Sequence, residues 1–132
     1  MSFLLHTDIC SAYLRHDRNV EGRFLQYGGQ LHVSVVTVGE LFSGVLSHRA
    51  SPRLLPALLG MLKDLTILEA TYDVAYTFGV IRAPLLDRGL PAPGMDLMNA
   101  ATALVHDLTL VTHNTQDYSH IAGLRLADWL VP

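Results

Sequence analysis

Phe3-Leu4-Leu5-His6-Thr7-Asp8 opens the chain with three large apolar residues that run directly into a polar triplet. A short, unbroken apolar run of this kind reads as a strand buried on both faces, as in parallel sheets. The pattern returns downstream. Residues 31–36 are β-branched and strand-like, residues 66–68 form a third short strand, residues 109–112 a fourth and residues 124–126 a last one. Helical stretches separate them, at about residues 8–15, 20–27 (ending at the Gly28-Gly29 stop), 38–46, 53–63 (opened by Ser51-Pro52), 71–87 and 95–106. Pro84 is expected to bend or shorten its helix, and residues 89–94, with two prolines, to be loop. Parallel strands joined through helices need crossover connections, so the predicted fold class is α/β, three layers α/β/α around a central parallel sheet.

The composition sets the outer limits. A chain of 132 residues fits one domain, 1–132. With 50% hydrophobic and 16% charged residues it carries a core and is not a disordered segment. The single cysteine, Cys10, excludes an intramolecular disulfide framework and a thiolate zinc cluster, and suits a reducing compartment. The most apolar stretch, residues 54–62, is interrupted by Pro56 and closed by Lys63 and Asp64, well short of the roughly 20 apolar residues that span a bilayer. The amino terminus lacks the basic region of a signal peptide, so a soluble, cytoplasmic protein without a membrane partner is expected. The formal charge is −3, with one lysine and eight arginines. Generic attraction to phosphate backbones is therefore weak, and a nucleic-acid ligand has to be held by a local arginine patch or through a bound metal.

In open parallel sheets, sites form beyond the carboxyl ends of the strands. His6, Thr7 and Asp8 follow the first strand, Thr37 and Glu40 the second, and Asn114 and Asp117 the fourth. Asp96 opens the helix that leads into the fourth strand. Each has an ordinary alternative. Thr37-Val38-Gly39-Glu40 has the spacing of a capping box, and Asp96, Asn114 and Asp117 stand where helix caps stand. Taken together, several carboxylates at one sheet edge repel one another, and a bound cation removes the penalty. Oxygen ligands select Mg²⁺ or Mn²⁺ over zinc, and the chemistry that follows is metal-assisted phosphodiester hydrolysis.

These residues resemble the PIN-domain ribonucleases, in particular the VapC-type toxins of bacterial toxin–antitoxin pairs. Leu4-Leu5-His6-Thr7-Asp8 is similar to the family's opening L-L-D-T-N, and Ser34 to Leu41 with Gly44 to its S-x-x-T-x-x-E-L-x-x-G. Asp96-Leu97-Met98-Asn99-Ala100-Ala101-Thr102-Ala103 is similar to D-x-x-I-A-A-x-A. Thr112-His113-Asn114-Thr115-Gln116-Asp117-Tyr118, followed by Ile121, Gly123, Leu124 and Trp129, is similar to the closing T-x-N-x-x-D/E-F…I-x-G-L…W. Almost the whole chain is covered. The resemblance implies a Mg²⁺- or Mn²⁺-dependent endoribonuclease acting on RNA, a homodimer, and neutralisation by a VapB-like antitoxin. By position it implies that Asp96 touches the metal, that Glu40 orients or deprotonates water, and that Asp117 and Asn114 supply the variable closing region. Thr112 becomes a hydroxyl behind a carboxylate. Asn99, one turn after Asp96, either faces the same cleft or packs at the core edge.

One position departs from the pattern: His6 stands where the family's first aspartate falls. Three readings follow. His6 inactivates the site, or it ligates a modified metal site, or Asp8 serves in its place; the first is favoured by the lost negative charge. It keeps alive a second function, a catalytically silent PIN module that binds an antitoxin. A phosphoacceptor signalling domain is disfavoured, since the lone lysine lies before the third strand rather than near the last. The other histidines show no paired ligand spacing, and Cys10 reads as a small core residue.

Overall fold

The computed structural model describes residues 1–131. Five strands, β1 (Phe3–Leu5), β2 (Leu31–Ser34), β3 (Thr66–Leu68), β4 (Thr109–Val111) and β5 (Leu126–Ala127), form one sheet in the order β3-β2-β1-β4-β5. Every pairing is parallel. The helices are α1 (Thr7–Leu14), α2 (Arg18–Gln26), α3 (Val35–Leu46), α4 (Leu54–Leu62), α5 (Tyr72–Asp87), α6 (Gly94–Val105) and α7 (Thr115–Tyr118). The expected three-layer α/β/α architecture is what the chain adopts. Among the described residues no helix is long and apolar enough to cross a membrane.

Alternation along β1 divides the core between the two faces of the sheet. Phe3 and Leu5 join Ile9, Phe24, Leu58 and Trp129 on one side, while Leu4 joins Leu85, Leu97, Leu110 and Tyr118 on the other. Trp129 closes the first cluster, edge-on to Phe3 at 5.1 Å and stacked on Tyr27 at 5.9 Å. The chain builds from β1 to β2 and β3 in one direction, then returns to place β4 on the other flank of β1. The strand order therefore reverses between β1 and β4, and the crevice beyond their carboxyl ends is where such sheets bind ligands.

Several boundaries differ from those expected. β2 stops at Ser34 rather than running to residue 36, because the Ser34 hydroxyl accepts from the Thr37 amide at 3.1 Å and starts α3 there. Val35 and Val36 are thus helical despite their β-branching. The last strand lies at Leu126–Ala127, two residues on from the expected run, since Gly123 takes φ +80° and Leu124 closes a turn onto the Ile121 carbonyl. Pro84 does not shorten α5. It sits in the final turns, where its absent N–H forfeits one bond and its carbonyl still accepts from Arg88 at 3.2 Å. Gly94 already belongs to α6. The loop before it is braced by Arg82, whose Nε donates to the Ala92 carbonyl at 3.2 Å.

Ser34 does a second job. Its hydroxyl donates to Asn99 Oδ1 at 2.5 Å, and Thr37 Oγ1 donates to the same oxygen at 3.3 Å, tying α3 to α6 through buried groups. Ser34→Ala should lower stability by about 2–3 kcal/mol in urea unfolding, the sum of a lost cap and a lost buried bond. A change under about 0.5 kcal/mol, the size of an ordinary surface substitution, would show that this tie carries no energy.

Candidate active site

His6 leaves the end of β1 with an extended backbone, φ −77° and ψ 162°, and its amide donates to the Val111 carbonyl at 3.0 Å. The residue is pinned at the point where the sheet reverses direction. Its imidazole is nearly buried and engages a carboxylate with each nitrogen: Nδ1 lies 3.1 Å from Asp8 Oδ1, and Nε2 lies 3.3 Å from Asp96 Oδ1. Ionised carboxylates only accept, so a ring serving both donates from both nitrogens and is positive. Burial pushes its pKa down, but the hydrogen bond and charge of Asp8, with Asp96 behind them, outweigh this and leave it above the ordinary 6.5.

Asp8 is held by four donors. Oδ1 takes the Ile9 amide at 2.8 Å as well as His6, and Oδ2 takes Thr112 Oγ1 at 3.2 Å and the His113 amide at 2.9 Å. Burial alone raises its pKa; the bonds from His6 and His113 and the imidazole's charge bring it below 3.8. Thr112, at the end of β4, holds Asp8 and in turn accepts from the Asn114 amide at 3.1 Å.

The other acids arrive from the helices. Glu40, in the second turn of α3, accepts from Thr7 Oγ1 at 2.7 Å. Asp96, in the first turn of α6, meets His6. Consecutive residues at the end of β1 therefore hold acids from two distant helices. The capping alternatives hold only in part: Ser34 rather than Thr37 caps α3, Pro93 rather than Asp96 is the N-cap of α6, and Asn114 is the N-cap residue of α7 without a side-chain cap bond, while Asp96 and Asp117 do stand as acids in the first turns of α6 and α7.

Asp117 is exposed on α7 and shares a cleft of about 380 Å³ with Asp96, Pro93, Gln116, Tyr118 and His120. Glu40 lines two other clefts, one of about 580 Å³ with Val35, Phe78 and Met98, the other of about 290 Å³ with Thr7, Arg15 and Leu54. Asp96 and Asp117 are thus brought into one cavity, while Glu40 lines a neighbouring cleft together with Gly94, Met95 and Met98 of α6. Asn99 is fully buried, and its oxygen is spent on Ser34 and Thr37. Cys10 is buried as well, and burial with the Asp8 charge pushes its thiol up to about 12, which removes it as a nucleophile.

Tyr118 was not singled out from the sequence. It is buried against His6, its ring edge-on at 5.9 Å and its hydroxyl 3.4 Å from Nε2. Burial and the Asp96 charge raise its pKa far beyond the usual tyrosine range, so the hydroxyl keeps its proton. The available signal was small: a tyrosine where the closing pattern has phenylalanine.

The donor set does not fit a divalent ion as it stands. Oxygens sharing one Mg²⁺ at its usual bond length can be no more than about 4.2 Å apart, and Asp8 and Asp96 are separated by the width of an imidazole that each of them binds. Among the described residues no group of three or more His, Cys, Asp or Glu side chains is arranged to hold a metal.

Comparison with known proteins gives a consistent result. The PIN domain family model matches residues 3–124. The tRNA(fMet)-specific endonuclease VapC of Shigella flexneri is 32% identical over 130 residues, covering 98% of each chain. The ribonuclease VapC of Haemophilus influenzae is 30% identical over 131 residues, covering 98% of this chain and 99% of its own. Among solved structures, a DNA-bound VapBC complex from Salmonella typhimurium superposes with a TM-score of 0.90 at 29% identity, over 98% of both chains.

The ion pair at His6 sets a pH window. A raised imidazole pKa contributes stability that is complete below 6.5 and is lost as pH climbs through the raised value; a lowered Asp8 pKa contributes stability that is present above 3.8 and is lost as pH falls through the lowered value. The stability difference between the parent chain and His6→Asn should therefore be largest between those two ordinary values and shrink on the alkaline side. A difference that stays flat from about pH 5 to about pH 9 in urea titrations would contradict the pairing.

Proposed function

The chain belongs to the PIN domain family, and from that premise we propose that it is an endoribonuclease toxin of a toxin–antitoxin pair, a single domain over residues 1–132 acting in the cytoplasm on RNA phosphodiester bonds. The names of its relatives support this reading, since they describe a tRNA-specific endonuclease and a ribonuclease, and the Salmonella structure is of a toxin–antitoxin complex. A VapB-like antitoxin is accordingly the proposed protein partner. The observation that carries the proposal is the convergence of Glu40 from α3 and Asp96 from α6 on Thr7 and His6, at the one place where the sheet reverses.

In this reading Glu40, steadied by Thr7, takes the proton of the attacking water. Asp96 and Asp117 line the cleft that receives the scissile region, Asn114 offers its free amide to a phosphate oxygen, and Arg15 beside Glu40 supplies a guanidinium to the RNA backbone. Thr112 and Asn99 act behind them, Thr112 on Asp8 and Asn99 on the start of α3. PIN-domain ribonucleases are divalent-metal dependent as a family, and Mg²⁺ or Mn²⁺ is the ion that the oxygen-rich set of a His6→Asp chain would take.

A second copy of the chain is proposed to cover one face of α5. Tyr72, Tyr76 and Val80 recur at four-residue spacing and are 85%, 68% and 56% exposed, an apolar stripe that a lone domain gains nothing by displaying. Tyr76→Glu should convert a dimer to a monomer in sedimentation equilibrium; unchanged mass would place the interface elsewhere. For the chemistry, His6→Asp with Mg²⁺ or Mn²⁺ should cleave structured RNA, tRNA included, at least about 10²-fold faster than the parent chain, and adding Asp96→Asn should abolish the gain. Cleavage indifferent to Asp96→Asn would sink the assignment.

A further inference from the structure

Acids converging at a sheet edge need something that joins them, and in this chain an imidazole stands between two of them. We propose that His6 occupies the place of the divalent ion, so that the cleft holds its own carboxylates together without metal and Tyr118 locks the ring that does so. The inference rests on the reading of this cleft as a PIN-domain nuclease site and concerns what that site binds.

Three independent features support it. The first is placement. The two ring nitrogens reach Asp8 and Asp96 at 3.1 and 3.3 Å, one from the same chain segment and one from α6, so the imidazole spans the gap that an ion would otherwise bridge. An ion admitted between those oxygens has to displace the ring.

The second is saturation. Asp8 already receives four donors, two of them main-chain amides that cannot swing away. Its lone pairs are committed to joining α1 to the end of β4, leaving a metal no oxygen without breaking that join.

The third is the partner on the ring. Tyr118 is buried, stands edge-on to His6, and brings its hydroxyl to 3.4 Å from Nε2, while Thr112 Oγ1 lies 3.3 Å from Nδ1. Each nitrogen therefore has a hydroxyl beside its carboxylate. Two of the residues that depart from the quoted motif segments, His6 for aspartate and Tyr118 for phenylalanine, meet at this contact. A histidine that merely damaged an ion site would not need a hydroxyl placed on its far nitrogen.

The test is the thermal response of the intact chain to metal. The melting temperature of the parent chain should be the same in EDTA and in millimolar Mg²⁺ or Mn²⁺. His6→Asp gathers uncompensated acids, so it should melt lower in EDTA and recover by at least about 3 °C when either ion is added. His6→Asn keeps the volume, loses the bridge and should show a smaller rise of the same sign, which carries the test if His6→Asp does not fold. Direct titration with Mn²⁺, followed by the loss of its free-ion EPR signal, should show binding to the variants and not to the parent. A parent chain that responds as strongly as the variants overturns the proposal, and so does the absence of any response in both variants. RNA cleavage is read separately: a His6→Asp chain that binds Mn²⁺ but cuts no RNA refutes the nuclease reading and leaves the ion replacement standing.

Discussion

Like charges forced together at the edge of a parallel sheet are the constraint around which this molecule is organised. Asp8, Asp96, Asp117 and Glu40 come from separate elements, α1, α6, α7 and α3, that start beyond the carboxyl ends of the strands or beside them, and carboxylates gathered in such a place repel one another. Something positive has to stand among them. In this chain it is a side chain, the imidazole of His6, which is covalently part of β1's exit and cannot diffuse away.

The rest of the architecture serves that position. The reversal of strand order between β1 and β4 opens the crevice, and the His6 amide, bonded to the Val111 carbonyl, fixes the ring at its floor. Asp8 joins α1 to the β4 exit through Thr112 and the His113 amide. The buried triangle of Ser34, Thr37 and Asn99 sets α3 against α6 and so fixes Glu40 relative to Asp96. Arg82 restrains the proline-rich loop from which α6 starts. Packing thus decides where the acids go, and electrostatics decides what must accompany them.

Much of this was legible in the residues alone. Short apolar runs alternating with helical spacing announce a parallel α/β/α sheet, and the polar residues after each run mark its active edge. Glu40 and Asp96 stood out because they sit one helical turn past a strand end or a Pro-Gly loop. What the sequence hid was mostly local. Ser34 caps α3 two residues inside an apparent β-branched run, α7 has too few residues for any periodicity, and Gly123 shifts the last strand by bending the chain before it. The role of Tyr118 was hidden for a different reason: an aromatic residue near a chain end reads as core, and only three-dimensional proximity to His6 gives its hydroxyl a purpose.

The protonation of His6 is the most direct measure of the account. Nitrogen-15 NMR of the imidazole at about pH 7, above the group's ordinary value of 6.5, reports whether each ring nitrogen carries a proton. Both Nδ1 and Nε2 should be protonated and hydrogen-bonded, one to Asp8 and one to Asp96. A neutral ring with a single proton, leaving one carboxylate unpaired, would contradict it.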